Sequence, residues 1–468
     1  MSQPGQLDSG AHVYLSGGIL LAIDPDARLS RQEEILLQKE SKYRSNFIRR
    51  IIDEITYPSV YTVIKYLDVV QHLKSYFHKS EVHEFIPYRE GQKIALVAIW
   101  EYQNLRKDVR ILAEELIKRD FYVCLVNTGK INVDSLSGFA SVYIERFNYG
   151  RDFGSYKEGI QFLQKDNKLA QAEKFLLCND SVYYLQDLIS PTLDKFLDSN
   201  LEIAGATENF EIHHHLGSFF VMFSKHVINT KEFSKFWKRF RVTDIRTKNI
   251  RYGEMRLTEK VKKTVTETQI GALWSLALMS KVYDDTEKLS QAISLVNRGL
   301  ITSWKKLSWQ FITKSFLGER ILFPADFSKN QGIFIQGSDS KNSDVSNSEL
   351  ILTHQDAVDL IQNTFGKEVG AQTLFDLKMK AKGLWVGTTA SGSQIHQNNN
   401  LLISMGCPLV KLDLIYRGAF SYEDAEIMFS QIDNKEDVEL LRDILYRRAY
   451  GLDVLRGWKR SAFNKGLI

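Results

Sequence analysis

The sequence predicts an α/β fold built around a mostly parallel sheet, and three observations lead there. Four short apolar runs, at 94–100, 121–126, 142–147 and 175–178, alternate with stretches of helical periodicity. The balance is globular: of 468 residues, 44% are apolar, 25% charged and 12% aromatic. Only seven prolines occur, which suits helices joined by compact connections.

The elements follow in order. Residues 1–90 read as a mainly helical N-terminal extension. Charges mix with Ile35, Leu36, Phe47, Ile48, Ile51 and Ile52, and 61–77 repeats the pattern. From 91 the βαβ rhythm begins. The run at 94–100 precedes a helix over 105–118, with Val109, Leu112 and Leu116 three and four apart. A loop around Thr128 and Gly129 follows the second run. A helix from about Gly154 should present Phe153, Tyr156, Ile160 and Leu163 on one face. Residues 201–206 add a further strand, and 213–228 reads as an amphipathic helix carrying Leu216, Phe219, Phe220, Phe223 and Val227. The segment 261–316 reads as largely helical. The Ser/Asn/Asp/Gly-rich stretch 331–348 reads as a surface loop. The expected division is 1–90, a core over 91–330 with a helical insertion, and 331–468, a linker and helical part that completes the core.

Several function classes are excluded at this level. Sixty-one Lys and Arg against fifty-seven Asp and Glu leave a charge of +4, too small to imply nucleic-acid binding. No run approaches the ~18 apolar residues of a membrane helix. The first residues lack the pattern of a secretory signal. Cys124, Cys178 and Cys407 are odd in number and widely spaced, so they form no metal or disulfide framework, and a reducing cytoplasm is expected.

In a parallel sheet, ligands sit beyond the carboxyl ends of the strands. The densest candidate there is 146–159. Asn148, Gly150 and Gly154 mark tight turns, and Arg151 can grip phosphate oxygens with two donors. The helix start offers free N–H groups to an anion. Asp152 is Arg151's alternative partner within the turn. Asn179, Asp180 and Ser181 follow the fourth run, and the Asp180 carboxylate can hold a divalent cation that binds phosphate. Three adjacent histidines, His213 to His215, would point in different directions on a helix, which argues against one metal site. One of them can serve as a general base. Lys411 interrupts the apolar run 408–414, so its ammonium must find a partner or reach solvent. A basic stretch from Lys235 to Arg251, interleaved with Phe236, Trp237 and Phe240, suits an anionic bilayer surface.

The runs 148–156 (NYGRDFGSY), 177–181 (LCNDS), 215–220 (HLGSFF) and 406–414 (GCPLVKLDL) together resemble the rhamnan synthesis F family of bacterial polysaccharide glycosyltransferases. The resemblance spans about 91–418 and implies a GT-A-like core with helical N-terminal and C-terminal extensions. Gly217 departs from it, standing where glutamine is expected.

The resemblance implies transfer of a sugar, rhamnose foremost, from a nucleotide-sugar to a lipid-linked surface glycan at the inner face of the cell membrane. It places Asn148, Gly150, Arg151, Asp152, Gly154, Asn179, Ser181 and Lys411 around the donor. His215, Glu208 and Asp180 become the catalytic candidates. Asn179-Asp180-Ser181 stands where an Asp-x-Asp motif is usual, so Asp180 is the expected ligand of Mg2+ or Mn2+ and lacks the second acid. The rival reading is a non-catalytic glycan- or partner-binding component of an assembly complex.

Overall fold

The computed structural model describes residues 47–281, 392–446 and 455–468, with isolated positions between 281 and 392. Two compact units divide the chain, Phe47–Lys281 with Thr388–Ile468, and Met1–Asn46 with Val282–Gly387. Every element below belongs to the first unit. The expected helical residues 31–46 and 282–316, and the loop 331–348, lie outside the described residues.

The architecture is mixed α/β with a mostly parallel central sheet. Its strands are β1 (Glu81–Glu84), β2 (Lys93–Ile99), β3 (Phe121–Asn127), β4 (Val142–Glu145), β5 (Lys174–Asn179), β7 (Ile203–Asn209), β8 (His215–Leu216), β9 (Phe220–Ser224) and β10 (Ile270–Trp274). The order is β1-β4-β3-β2-β5-β9-β7-β10, with β8 paired to β7. Strands β4, β3, β2 and β5 are mutually parallel, as are β7 and β10. Strand β9 runs antiparallel between β5 and β7. The four parallel strands finish level, because Ile99 pairs with Asn127, Asn127 with Glu145 and Ala98 with Asn179. The loops that follow them therefore open on one edge.

The predicted runs at 94–100, 121–126, 142–147, 175–178 and 201–206 all became strands. Over most of their length they are buried and apolar on both faces, which is why they read as continuous runs instead of alternating ones. The helix Arg151–Lys165 buries Phe153, Tyr156, Ile160 and Leu163 as its spacing predicted.

Three expectations need correction. Residues 213–228 form β8, a turn, β9 and a short helix Lys225–Ile228, not one helix. A short apolar run carries no length to arbitrate between periods, and here both edges of Phe220–Ser224 are paired in the sheet and Phe220 to Phe223 are buried. Strand β10 lies inside the segment read as helical, and β1 inside the N-terminal segment read as mainly helical. The aromatics of the Lys235 stretch face inward on the helix Lys231–Arg239: Phe236, Trp237 and Phe240 pack in the core beside Phe153. They are not available to a bilayer.

The later residues fold back onto the sheet. Strands β6 (Val182–Tyr184) and β11 (Leu409–Lys411) pair antiparallel, with Lys411 opposite Val182. Tyr183, Val410, Leu412, Leu414, Phe420 and Met428 form a second core beneath this ribbon. A third small core joins the helix Phe47–Ser75 to the helix Gly457–Asn464 through Val60, Ile64, Ile245, Ala462 and Leu467.

Candidate active site

A cleft of about 1430 Å³ opens at the carboxyl ends of the parallel strands. Its walls include Trp100, Asn148, Arg151, Asp152, Asn179, Asp180, Ser181, His215, Lys411 and Asp413. Eight of the eleven residues singled out by sequence thus share one cavity. Gly150, Gly154 and Glu208 do not line it.

The turn before the helix Arg151–Lys165 is built by its glycines. Gly150 has φ +92° and Arg151 φ +53°, two consecutive left-handed residues. A β-carbon on Gly150 would collide with the Val242 side chain, and one on Gly154 with the Tyr149 carbonyl. These glycines shape the loop. Arg146 clamps the turn, with Nη2 donating to the Tyr149 carbonyl at 2.5 Å and Nη1 to Ser155 Oγ at 3.3 Å. The Gly150 N–H donates to Asp244 Oδ1 at 2.6 Å, and Arg151 Nε to the Asp244 carbonyl at 2.8 Å. The Arg151 guanidinium is thereby held at the cleft wall, and among the described residues its other nitrogens take no hydrogen-bond partner.

The loop after β5 is fixed from both sides. Asn179 is buried and donates to Asp152 Oδ2 at 3.0 Å and Tyr156 Oη at 3.1 Å. Its side-chain oxygen accepts from the Ser181 N–H and hydroxyl. Lys411 Nζ donates to Ser181 Oγ at 2.7 Å and lies 5.1 Å from the Phe219 ring centre. Lys411 thus finds a partner in a serine of the opposite loop. Asp180 Oδ2 accepts from the Trp100 N–H at 2.6 Å, and its carbonyl accepts from Arg106. Burial raises the Asp180 carboxyl above its usual range, against the pull of Arg106. Burial and the Asp180 charge push Asp152 up to about 6, although Lys411 and Arg151 draw it down.

Across the cleft, His215 Nδ1 donates to the His213 carbonyl at 2.9 Å, which leaves Nε2 facing Glu254 Oε1 at 3.6 Å. Burial works against a charge on His215, but Glu254 and the His213 carbonyl outweigh it and raise the pKa. Burial alone would raise Glu254, yet His215 and Ser218 hold it down at about 2. Ser218 supplies both N–H (3.0 Å) and O–H (2.6 Å) to Glu254 Oε2. Glu254 comes from a π-helical segment, Asn249–Met255, a form whose extra residue per turn often marks functional sites. Glu208 is engaged elsewhere, accepting from the Leu276 N–H at 2.7 Å and contacting His214 at 3.0 Å.

Sequence reasoning missed Trp100, Asp244, Arg246, Glu254 and Asp413. Burial would raise Asp413, but His396, Lys411, Arg246 and Arg417 hold it far below the usual carboxylate range. Its bond from Arg246 Nη2 measures 3.1 Å. Only the run Lys411-Leu412-Asp413, where β11 ends and a short helix begins, hinted at this cluster. Nothing local in the sequence announces Glu254. Trp237 belongs to the core, and Tyr252 is exposed beside Arg251. Among the described residues no group of three or more His, Cys, Asp or Glu is arranged to hold a metal ion.

The comparisons with known proteins bear on this same cleft. Residues 121–302 match the rhamnan synthesis protein F family. The rhamnan synthesis protein F match takes in β3 to β10, and with them the motifs at 148–156, 177–181 and 215–220. It stops short of the Lys411 segment. An uncharacterized protein of Sinorhizobium fredii, y4gN, is 28% identical over 182 residues, covering 36% of this chain and 47% of that protein. The virulence protein VirA of Vibrio anguillarum is 28% identical over 125 residues, covering 26% of this chain and 39% of VirA. The chain spans less than half the length of these relatives.

Proposed function

We propose that the protein is a glycosyltransferase of surface-polysaccharide synthesis, with a GT-A-like core, that moves rhamnose from a nucleotide-sugar to a lipid-linked glycan. One observation carries this reading: Arg151, Asp180 and Lys411, drawn from three distant segments, line a single cleft with His215 opposite. The family match to rhamnan synthesis protein F supports the pathway, and the sheet edge supports a nucleotide site.

In this reading the donor diphosphate lies between Arg151 and Lys411. Their positive charge stabilises the negative charge that develops as the sugar–diphosphate bond breaks. The acceptor hydroxyl attacks the anomeric carbon, and its proton passes to His215 Nε2. Nδ1–H is fixed on the His213 carbonyl, so the proton enters at Nε2, and Glu254 Oε1, 3.6 Å from that nitrogen, stabilises the imidazolium that forms. Glu208, the other candidate base, already accepts the Leu276 N–H. Asp180, with Asp152 near it, fits a Mg2+ or Mn2+ ion that shares its ligands with phosphate oxygens better than an ion caged by protein. When bound, such an ion would neutralise phosphate charge.

The test is a panel of nucleotide-sugars with purified protein, scored for transfer or hydrolysis, with and without Mg2+. Arg151→Ala and Asp180→Ala should each lower the rate at least about tenfold, or ~1.4 kcal/mol of barrier. Unchanged rates in both, with an active parent, would remove the site. Full-strength nucleoside diphosphate binding with no turnover on any donor would favour the non-catalytic alternative.

A further inference from the structure

We propose that Tyr156 is a positioning residue for His215, tying the loop on the donor side of the cleft to the turn that holds the base. The inference deepens the transferase reading and rests on it for the role of His215. The observation is a buried hydroxyl that core packing does not require. The Tyr156 ring packs against Phe153 and Trp237, with centroids 5.6 and 6.4 Å away, and phenylalanine would serve for those contacts. The hydroxyl donates to the Ser218 carbonyl at 2.8 Å and accepts from Asn179 Nδ2 at 3.1 Å. Tyr156 is fully buried and does not line the cleft.

Both partners of that hydroxyl are committed to the site. On the donor side, Asn179 Nδ2 also donates to Asp152 Oδ2 at 3.0 Å, and Asn179 Oδ1 accepts from the Ser181 hydroxyl at 2.6 Å. Ser181 Oγ in turn accepts from Lys411 Nζ. On the other side, Ser218 gives its N–H and O–H to Glu254 Oε2, and Glu254 Oε1 faces His215 Nε2 at 3.6 Å. A continuous chain of contacts therefore runs from Lys411 to His215, with the Tyr156 hydroxyl at its middle. In a buried network each bond restrains the next. Without the hydroxyl, the Ser218 carbonyl loses its donor, and Ser218 and Glu254 gain freedom together. The Asn179 N–H still donates to the Phe219 carbonyl at 3.3 Å, so the pairing of β5 with β9 survives.

Tyr156→Phe alters no charged group around His215. Those facing it are Glu254 from the π-helical segment and Glu211 from its own loop, with the His213 carbonyl as acceptor and the His213 ring 6.1 Å away. Glu208 on the neighbouring β7 is engaged by the Leu276 N–H and His214. A change in the His215 titration in that variant therefore reports position.

The test is the His215 titration by NMR in the full chain, without donor. Tyr156→Phe should move it to lower pH, in the same sense as Glu254→Gln and by less. With a donor that is turned over, kcat should fall at least about fivefold while the donor KM stays within about twofold. The control is Tyr122→Phe, which removes another buried hydroxyl, bonded to Glu84 at the far end of the strands, and should leave both readouts as in the parent. Circular dichroism checks that each variant is folded. Ser218→Ala, which keeps the N–H, should shift the titration in the same sense, and it decides alone if Tyr156→Phe does not fold. A moved titration in a protein that turns over no nucleotide-sugar would remove the transferase reading and keep Tyr156 as the residue that places His215. An unmoved titration in folded Tyr156→Phe, an equal shift in Tyr122→Phe, or a raised KM with kcat unchanged would overturn the proposal.

Discussion

Glu254 governs the charge of His215, and the pH dependence of that pair can be worked out. The raised pKa of His215 contributes stability that is complete below its ordinary 6.5 and lost as pH climbs through the folded value. The depressed Glu254 contributes stability that is complete above 4.5 and lost as pH falls toward about 2. Both contributions are whole between 4.5 and 6.5. Glu254→Gln should therefore lower the melting temperature most inside that window, with a shrinking difference above it. By NMR the His215 titration should move to lower pH in the same variant. An unmoved titration would remove the coupling. At this scale the sequence was informative where chemistry is written into neighbours, as in Arg151-Asp152 or Asn179-Asp180-Ser181. It was silent on Glu254, whose partner lies 39 positions away, because only the tertiary fold brings the two together.

The elements were legible in proportion to their length and periodicity. The long helix Arg151–Lys165 and the doubly buried parallel strands announced themselves, whereas β9 was misread because four apolar residues in a row satisfy either period. Its burial between β5 and β7 gives a test: Phe223 packs on Phe175 and Phe233, so Phe223→Ala should cost about 3–5 kcal/mol in urea unfolding. A loss under about 1 kcal/mol would place that side chain at a surface. The turn at Gly150 carries a second test. Its positive φ and the Val242 side chain leave no room for a methyl, so Gly150→Ala should cost about 1–3 kcal/mol and displace Arg151 from the cleft. An activity assay beside the melt separates the two effects, since a mere stability loss is recovered on cooling.

At the scale of the molecule, the parallel strand ends form a rim to which the returning segment around β11 contributes the missing cations. If this cleft holds a nucleoside diphosphate, the ligand at a hundred times its dissociation constant should stabilise the fold by ~2.7 kcal/mol, measured as a thermal shift. Arg151→Ala should abolish the shift; a shift of the same size in that variant would put the nucleotide elsewhere. Sheet class and rim were readable in the sequence because alternation of strand and helix dictates them. The closing of the rim was not, since no local pattern tells a chain where its later segments return. The Lys411–Ser181 bond spans 230 positions. During translation the loop after β5 leaves the ribosome long before its lysine exists. A nascent chain stalled between the two would hold a folded edge with half its charge absent, so nucleotide affinity should switch on late in synthesis, and a ribosome-bound series of increasing length would reveal the moment.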